Sequence, residues 1–284
     1  MTQTFPRTMV GGISLPRLLI GTNWIFGYSH TSSSADKQIL QRNGNLDAMA
    51  AILKAYLEHG VDAVMGPLSD VPYAFDAIKK AEDDTGKRII RIDTPTPCVD
   101  DSAEGRKKAE ATFDKSKAGG SDFCLIHHQA AEQLVNKNKQ ILDRLPDYTD
   151  MIRQRGMLPG LSAHMPELIV YSDLNEYDVE TYIQLYNCMG FLMQVEIEYV
   201  HKIIWSAKKP VMTIKPMAAG RTTPFVGLNF SWATIRDCDM VTVGCFNEME
   251  AAEDMEISRA ALERRGANLE GRSSPIQTQA AFGK

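Results

Sequence analysis

The stretch Phe123-Cys124-Leu125-Ile126-His127-His128 decides how this chain is read. An apolar run follows Gly119-Gly120 and breaks off at two adjacent histidines. A short apolar run bounded by turn residues predicts a strand buried on both faces, as in a parallel sheet. Such a strand carries His127 to the place where the chain leaves the core. Alternation along the strand predicts that His128 points the other way and packs against a neighbouring helix.

Outward from this strand the same rhythm repeats. Residues 18–21, 61–65 and 89–93 read as strands one to three, and 158–164, 180–186, 211–215 and 240–244 as strands five to eight. Helical segments lie between them. In 46–59, Leu46, Met49, Ile52, Leu53, Tyr56 and Leu57 share one face, Asn45 caps the start and Gly60 ends the helix. Residues 73–85, 102–118, 129–155 (interrupted at Pro146), 191–207, 224–236 and 248–265 read as further helices. Residues 22–45 read as a long polar loop carrying Trp24, Phe26, Tyr28 and His30, and 7–17 as a small cover turning at Gly11-Gly12. Eight apolar runs alternating with helices predict an α/β fold, a (β/α)8 TIM barrel. An open doubly wound sheet is the competitor, but no GxGxxG or GxxxxGK[ST] motif occurs. The expected organisation is a single barrel domain over 1–265 and a polar tail over 266–284, mobile or docked on a partner.

The chain has 284 residues, 44% of them hydrophobic, which suffices for one large core. Its net charge of −5 gives no reason to expect nucleic acid or an anionic membrane as partner. No apolar run is long enough to span a bilayer, and the N-terminus lacks the apolar core of a signal peptide. Cys98, Cys124, Cys188, Cys238 and Cys245 form no CxxC pair, which fits reduced thiols in the cytoplasm. The expected partner is a small-molecule substrate; self-association as a homo-oligomer is left open.

In a barrel of this kind the chemistry gathers at the C-terminal ends of the strands. Those ends offer Asp93, His127, Ser162, His164, Gln184 and Lys215. Asp93, His127 and His164 end consecutive strands and are expected to converge. Two imidazoles and a carboxylate could act in acid/base chemistry or hold zinc or ferrous iron, the other reading being a hydrogen-bonded cluster without metal. Lys215 could form a Schiff base if desolvated, bind an anion together with Arg221, or sit in a simple ion pair. Ala218-Ala219-Gly220-Arg221 suits a close backbone approach to a phosphate.

Several stretches, taken in order, resemble the aldo/keto reductases. Residues 18–22 (LLIGT) are similar to the family's first strand, 122–127 (DFCLIH) to its fourth, and 160–164 (GLSAH) to its fifth. Residues 184–187 (QLYN), 215–220 (KPMAAG) and the Gly244 to Asp254 region extend the match. The resemblance implies a barrel that binds NAD(P) and reduces carbonyls. It implies nicotinamide contacts at Ser162 and Gln184 and an adenine contact at Glu253. Of the family's Asp, Tyr, Lys and His set it carries over only His127. Met65 and Asp70 stand at the Asp and Tyr positions, and strand three ends Asp93-Thr94-Pro95 without a lysine. After strand eight, Cys245-Phe246-Asn247-Glu248 lacks the cations that a 2′-phosphate wants, so NADP is disfavoured. The expectation is an aldo/keto-reductase-like enzyme acting on a small polar substrate at the barrel mouth, through acid/base or metal-assisted chemistry. The alternatives are an NAD(P)-dependent oxidoreductase with a rearranged proton donor, and a non-catalytic binding protein.

Overall fold

The computed structural model describes residues 4–269. Eight parallel strands close into a barrel: β1 (Leu18–Gly21), β2 (Ala63–Gly66), β3 (Ile90–Asp93), β4 (Phe123–Ile126), β5 (Leu158–Ala163), β6 (Thr181–Leu185), β7 (Val211–Ile214) and β8 (Met240–Val243). Each pairs with its neighbours in chain order, and β8 returns to β1 through Val241–Leu18, Thr242–Leu19 and Val243–Ile20. The tail is described only to residue 269, and the expectation for 270–284 lies outside the described residues.

Strand alternation divides the core in two. Leu19, Ala63, Met65, Ile90, Ile92, Phe123, Leu125, Ile183, Met212 and Met240 fill the barrel interior. Leu18, Ile20, Val64, Cys124, Ile126, Leu161, Ala163, Tyr182, Val211 and Val243 face outward and pack in the layer under the helices. Burying a Leu, Ile or Phe side chain contributes about 1.5–3 kcal/mol, so this parity is strongly fixed wherever the strand is regular. Gly160 lies in an interior row where a Cβ would come within 2.7 Å of Leu125 Cγ, so the glycine makes room for its neighbour.

The stretch 7–17 is the expected cover. Arg7–Val10 and Ile13–Pro16 form an antiparallel hairpin. Gly11 and Gly12 turn it in the left-handed region, with φ of 53° and 82°. Val10 and Leu15 join the interior cluster, and Gly11 sits against Leu158 and Glu180 at the entrances of β5 and β6. The hairpin thus covers the N-terminal end of the barrel and leaves the C-terminal end as the approach to the interior.

Three local expectations change. Residues 22–45 are not one loop: Asn23–Phe26 is a helical turn and Ser33–Asn43 a helix capped by the Ser32 side chain. That helix buries only Ile39 and Asn43, so its sequence carries little apolar periodicity. Residues 129–155 are not one interrupted helix. They hold a short helix, His128–Ala131, a small hairpin pairing Val135–Asn136 with Ile141–Leu142, and the helix Leu145–Gln154. A helix over Glu167–Leu174 also fills the link between β5 and β6. Among the described residues no helix is long and apolar enough to cross a membrane.

Candidate active site at the barrel mouth

A cavity of about 780 Å³ opens at the C-terminal ends of the strands. That volume suits a small-molecule ligand. Its wall includes Met65, His127, Ser162, His164, Ile214 and Lys215 from the strand ends. His30, His128, Asp70 and Glu253 reach it from the loops and helices beyond.

Three imidazoles gather on the β4–β5 side. His127 follows the last residue of β4 and keeps the inward parity of Phe123 and Leu125. Its backbone N–H donates to the Pro95 carbonyl at 2.9 Å. Its Nδ1 accepts a long contact, 3.5 Å, from the Gln129 N–H, which leaves Nε2 to carry the ring proton. His128 does not follow the predicted alternation. The strand stops at Ile126 and a helix starts at His128, so the chain turns and brings this ring back to the cavity. Its ring stacks on His164 with centroids 3.8 Å apart and planes 17° from parallel, and it lies 4.2 Å from the His127 ring. Glu132 Oε1 accepts the backbone N–H groups of His164 and Met165 at 2.8 and 2.9 Å. Its Oε2 is 4.0 Å from His128 Nδ1.

Burial keeps these rings uncharged. It pushes His127 down to about 4 with help from His128, and His164 down to about 3. His128 is also lowered by burial, although Glu132 acts against it. At neutral pH the three are therefore hydrogen-bonding imidazoles and bases, not cations.

Lys215 supplies the cation. By alternation from Met212 and Ile214 it should face outward. It adopts a left-handed φ of 60° just past β7, and its side chain turns into the mouth instead. Ala218, Ala219 and Gly220 are also left-handed, at 50°, 55° and 81°. A run of such residues marks a backbone held by its surroundings. Lys215 Nζ donates to His30 Nε2 at 3.1 Å, and His30 Nδ1 lies 3.0 Å from the Tyr28 carbonyl. A carbonyl can only accept, so Nδ1 carries the ring proton and Nε2 is free to receive one. Among the described residues no ion pair forms to Lys215, and burial alone lowers it to about 8.

Other expected site residues lie elsewhere. Asp93 is fully buried and points outward from β3. It accepts the Ser69 N–H at 3.1 Å and the Ser116 hydroxyl at 2.5 Å, and burial raises it above the usual carboxylate range despite those bonds. It therefore does not join His127 and His164. Ile92, its neighbour, takes the interior position, and the strand remains regular through Asp93. Gln184 is outward for the same reason; its buried Oε1 has no partner among the described residues, and its Nε2 donates to the Leu185 carbonyl. Arg221 stacks on Phe191 at 3.8 Å and donates to the Ala218 carbonyl, while Ala219, Gly220 and Thr222 form the wall beside it. Ser162 and Glu253 do reach the cavity.

The metal set changes accordingly. Among the described residues the group whose ligand atoms lie within 4.8 Å of one another is His128, Glu132 and His164, not Asp93, His127 and His164. Two imidazoles and a carboxylate suit zinc or ferrous iron. In stacked rings the lone pairs run side by side, so holding a cation requires one ring to rotate. Sequence reasoning missed His128, Glu132 and the Lys215–His30 pair, because backbone turns beyond the strand ends bring them in. It also missed Thr242, whose inward hydroxyl is buried at the cavity wall with no partner among the described residues. Alternation along β8 was the available signal for that residue.

Arg42, from the helix Ser33–Asn43, reaches the segment after β8. Its guanidinium is already held by Glu248 at 2.9 Å, by the Phe246 carbonyl at 3.3 Å and over the Phe246 ring. Glu250, Glu253 and Asp254 add carboxylates to the same wall. A 2′-phosphate wants a free Arg or Lys, and Arg42 is already engaged.

Comparison with known proteins gives the fold. The chain shares its architecture with a protein from Pseudomonas aeruginosa assigned to the aldo-keto reductases: TM-score 0.64, 15% identity, 92% of this chain and 98% of that one covered. An aldo/keto reductase from Brucella melitensis gives a TM-score of 0.56 at 14% identity, over 93% and 99% of the two chains. One from Klebsiella pneumoniae, solved with NADP and acetate, gives 0.56 at 13%, over 93% and 92%. No family model and no curated protein matches the sequence. The likeness to these aldo/keto reductases is one of barrel architecture, at 13–15% sequence identity.

Proposed function

We propose that this barrel is an enzyme that performs acid/base chemistry on the carbonyl group of a small polar substrate, without the Asp, Tyr and Lys that its structural neighbours' family uses. One observation carries the reading: three neutral imidazoles and a lysine with no carboxylate partner among the described residues face one cavity at the barrel mouth. A neutral imidazole N–H can polarise a carbonyl oxygen, and a neutral imidazole nitrogen can take a proton from the adjacent carbon. His127 is the proposed oxygen-side donor, because its Nε2 holds the ring proton. His128 is the proposed base, stacked on His164 and set beside Glu132, which opposes the lowering of its basicity.

Exchange of carbon-bound protons in D2O tests this without any cofactor. Pyruvate, hydroxyacetone and glycolaldehyde, followed by proton NMR, should exchange at least about tenfold faster than in buffer. His127→Ala and His128→Ala should each return the rate toward background, a loss of about tenfold or more. Buffer-level exchange for all three compounds would overturn the reading.

The second reading is a nicotinamide oxidoreductase. It is favoured by Ser162 on the cavity wall and by the neighbour solved with NADP. The acidic wall beyond β8 then makes NAD the expected dinucleotide. Fluorescence titration decides it: quenching by NADH well below millimolar, with weaker quenching by NADPH, would replace the first reading.

A further inference from the structure

We propose that Lys215 is a covalent carbonyl-binding residue, forming an imine with the substrate carbonyl at the barrel mouth while His30 relays the proton. This rests on the carbonyl reading above and names the bond by which the substrate is held. Three features of placement support it. Lys215 Nζ lies on the wall of an open cavity of about 780 Å³ that can admit a carbonyl compound. Its hydrogen bond runs to an imidazole nitrogen, and no ion pair to it occurs among the described residues. Its left-handed backbone, one residue past β7, turns the side chain inward where strand alternation would hide it among the helices.

The surrounding charges agree with a lysine poised to lose its proton. His127, His128 and His164 approach from the β4 and β5 ends and are neutral. His30, from the loop after β1, is held neutral by burial and by Lys215 itself. Arg221 adds a further positive charge near His30. Asp70, Glu250, Glu253 and Asp254 are the acids lining the cavity. Burial leaves the ammonium at about 8, within reach of neutrality at physiological pH.

The step balances without any oxidant or reductant. His30 Nε2 takes one proton from the ammonium. The free amine attacks the carbonyl carbon, so a C–N bond forms as the C=O π bond breaks. The oxygen takes the proton back from His30, giving a carbinolamine. Its hydroxyl then leaves as water, taking a second proton that His30 carries over from the nitrogen, and the imine remains with the third proton on its nitrogen. The protonated imine draws electrons from the adjacent carbon, and that acidifies the proton the imidazoles would remove.

Reductive trapping tests the assignment. The purified full chain is incubated with pyruvate and sodium cyanoborohydride at pH 7, and labelled lysines are located by peptide mass spectrometry. A lysine titrating near 8 is about one-tenth unprotonated at pH 7, and an ordinary one well under a thousandth. Lys215 should therefore be labelled about a hundredfold faster than exposed lysines such as Lys79. Lys215→Arg keeps the charge, should melt like the wild type, and should lose both the label and proton exchange. His30→Gln can still accept from Lys215 but cannot carry a proton; it should melt normally and slow the labelling about tenfold. Lys215 labelled no faster than Lys79, or exchange retained in Lys215→Arg, overturns the imine. If exchange proceeds without a label, this inference falls and the acid/base reading stands. If neither occurs, both fall.

Discussion

Two charged residues close barrel strands, and they serve opposite ends. Asp93 is the last residue of β3; Lys215 follows the last residue of β7. By alternation both belong to the outward row. Asp93 keeps that direction, because the strand is still regular there, and spends its carboxylate on the Ser69 N–H and the Ser116 hydroxyl in the helix layer. Lys215 escapes it, because one left-handed residue re-aims the chain and delivers the ammonium to the cavity. A charge at the end of a strand is therefore not by itself a sign of chemistry. The backbone at that residue determines whether the charge holds the fold or faces a ligand.

The comparison is open to breaking from its strongest side. Asp93→Ala leaves two buried donors unpaired and should lower stability by about 2–3 kcal/mol in chemical denaturation. Asp93→Asn, which can still accept from Ser69 and bond to Ser116, should recover most of it. Neither change should alter pyruvate labelling of Lys215. An Asp93→Ala protein that keeps its stability and loses the label would reverse the roles assigned to the two strand ends.

The next effect separates the two charges by pH. Lys215 has its folded value lowered from 10.5 to about 8. Between those values the unfolded chain holds the proton and the folded chain does not, so this group makes stability rise with pH across that window. Lys215→Met should flatten that rise in denaturation curves measured from pH 7.5 to 10. Its stability at pH 7 should change by no more than about 1 kcal/mol, because it removes a desolvated charge that forms no described ion pair.

Metal binding gives a smaller and more local contrast. In a Zn²⁺ titration against a chromophoric competitor, any affinity should follow His128, Glu132 and His164. His164→Ala should weaken it about tenfold or more, in keeping with loss of a ligand. Asp93→Asn should leave it unchanged. The reverse pattern would restore the trio that strand order alone suggests.

Much of the fold can be read without coordinates. Apolar runs of strand length, separated by helices and stopped by glycine or proline, require a parallel sheet covered on both faces, and eight of them close into a barrel. His127, Ser162 and His164 are legible too, since each continues the inward row of its own strand or directly follows it. The helix Ser33–Asn43 is not, because only Ile39 and Asn43 are buried on it and no periodic face records its presence.

The amino-acid sequence by itself determined the barrel, a small cover before its first strand and an imidazole at the mouth, because hydrophobic periodicity is set by local geometry and each strand obeys it separately. The tertiary structure decided which polar groups meet. It turned Asp93 and Gln184 away, brought His128 onto His164, and laid Lys215 against His30. Those outcomes depend on the backbone just beyond each strand end and on loops closing from distant parts of the chain, where a period of two residues no longer applies.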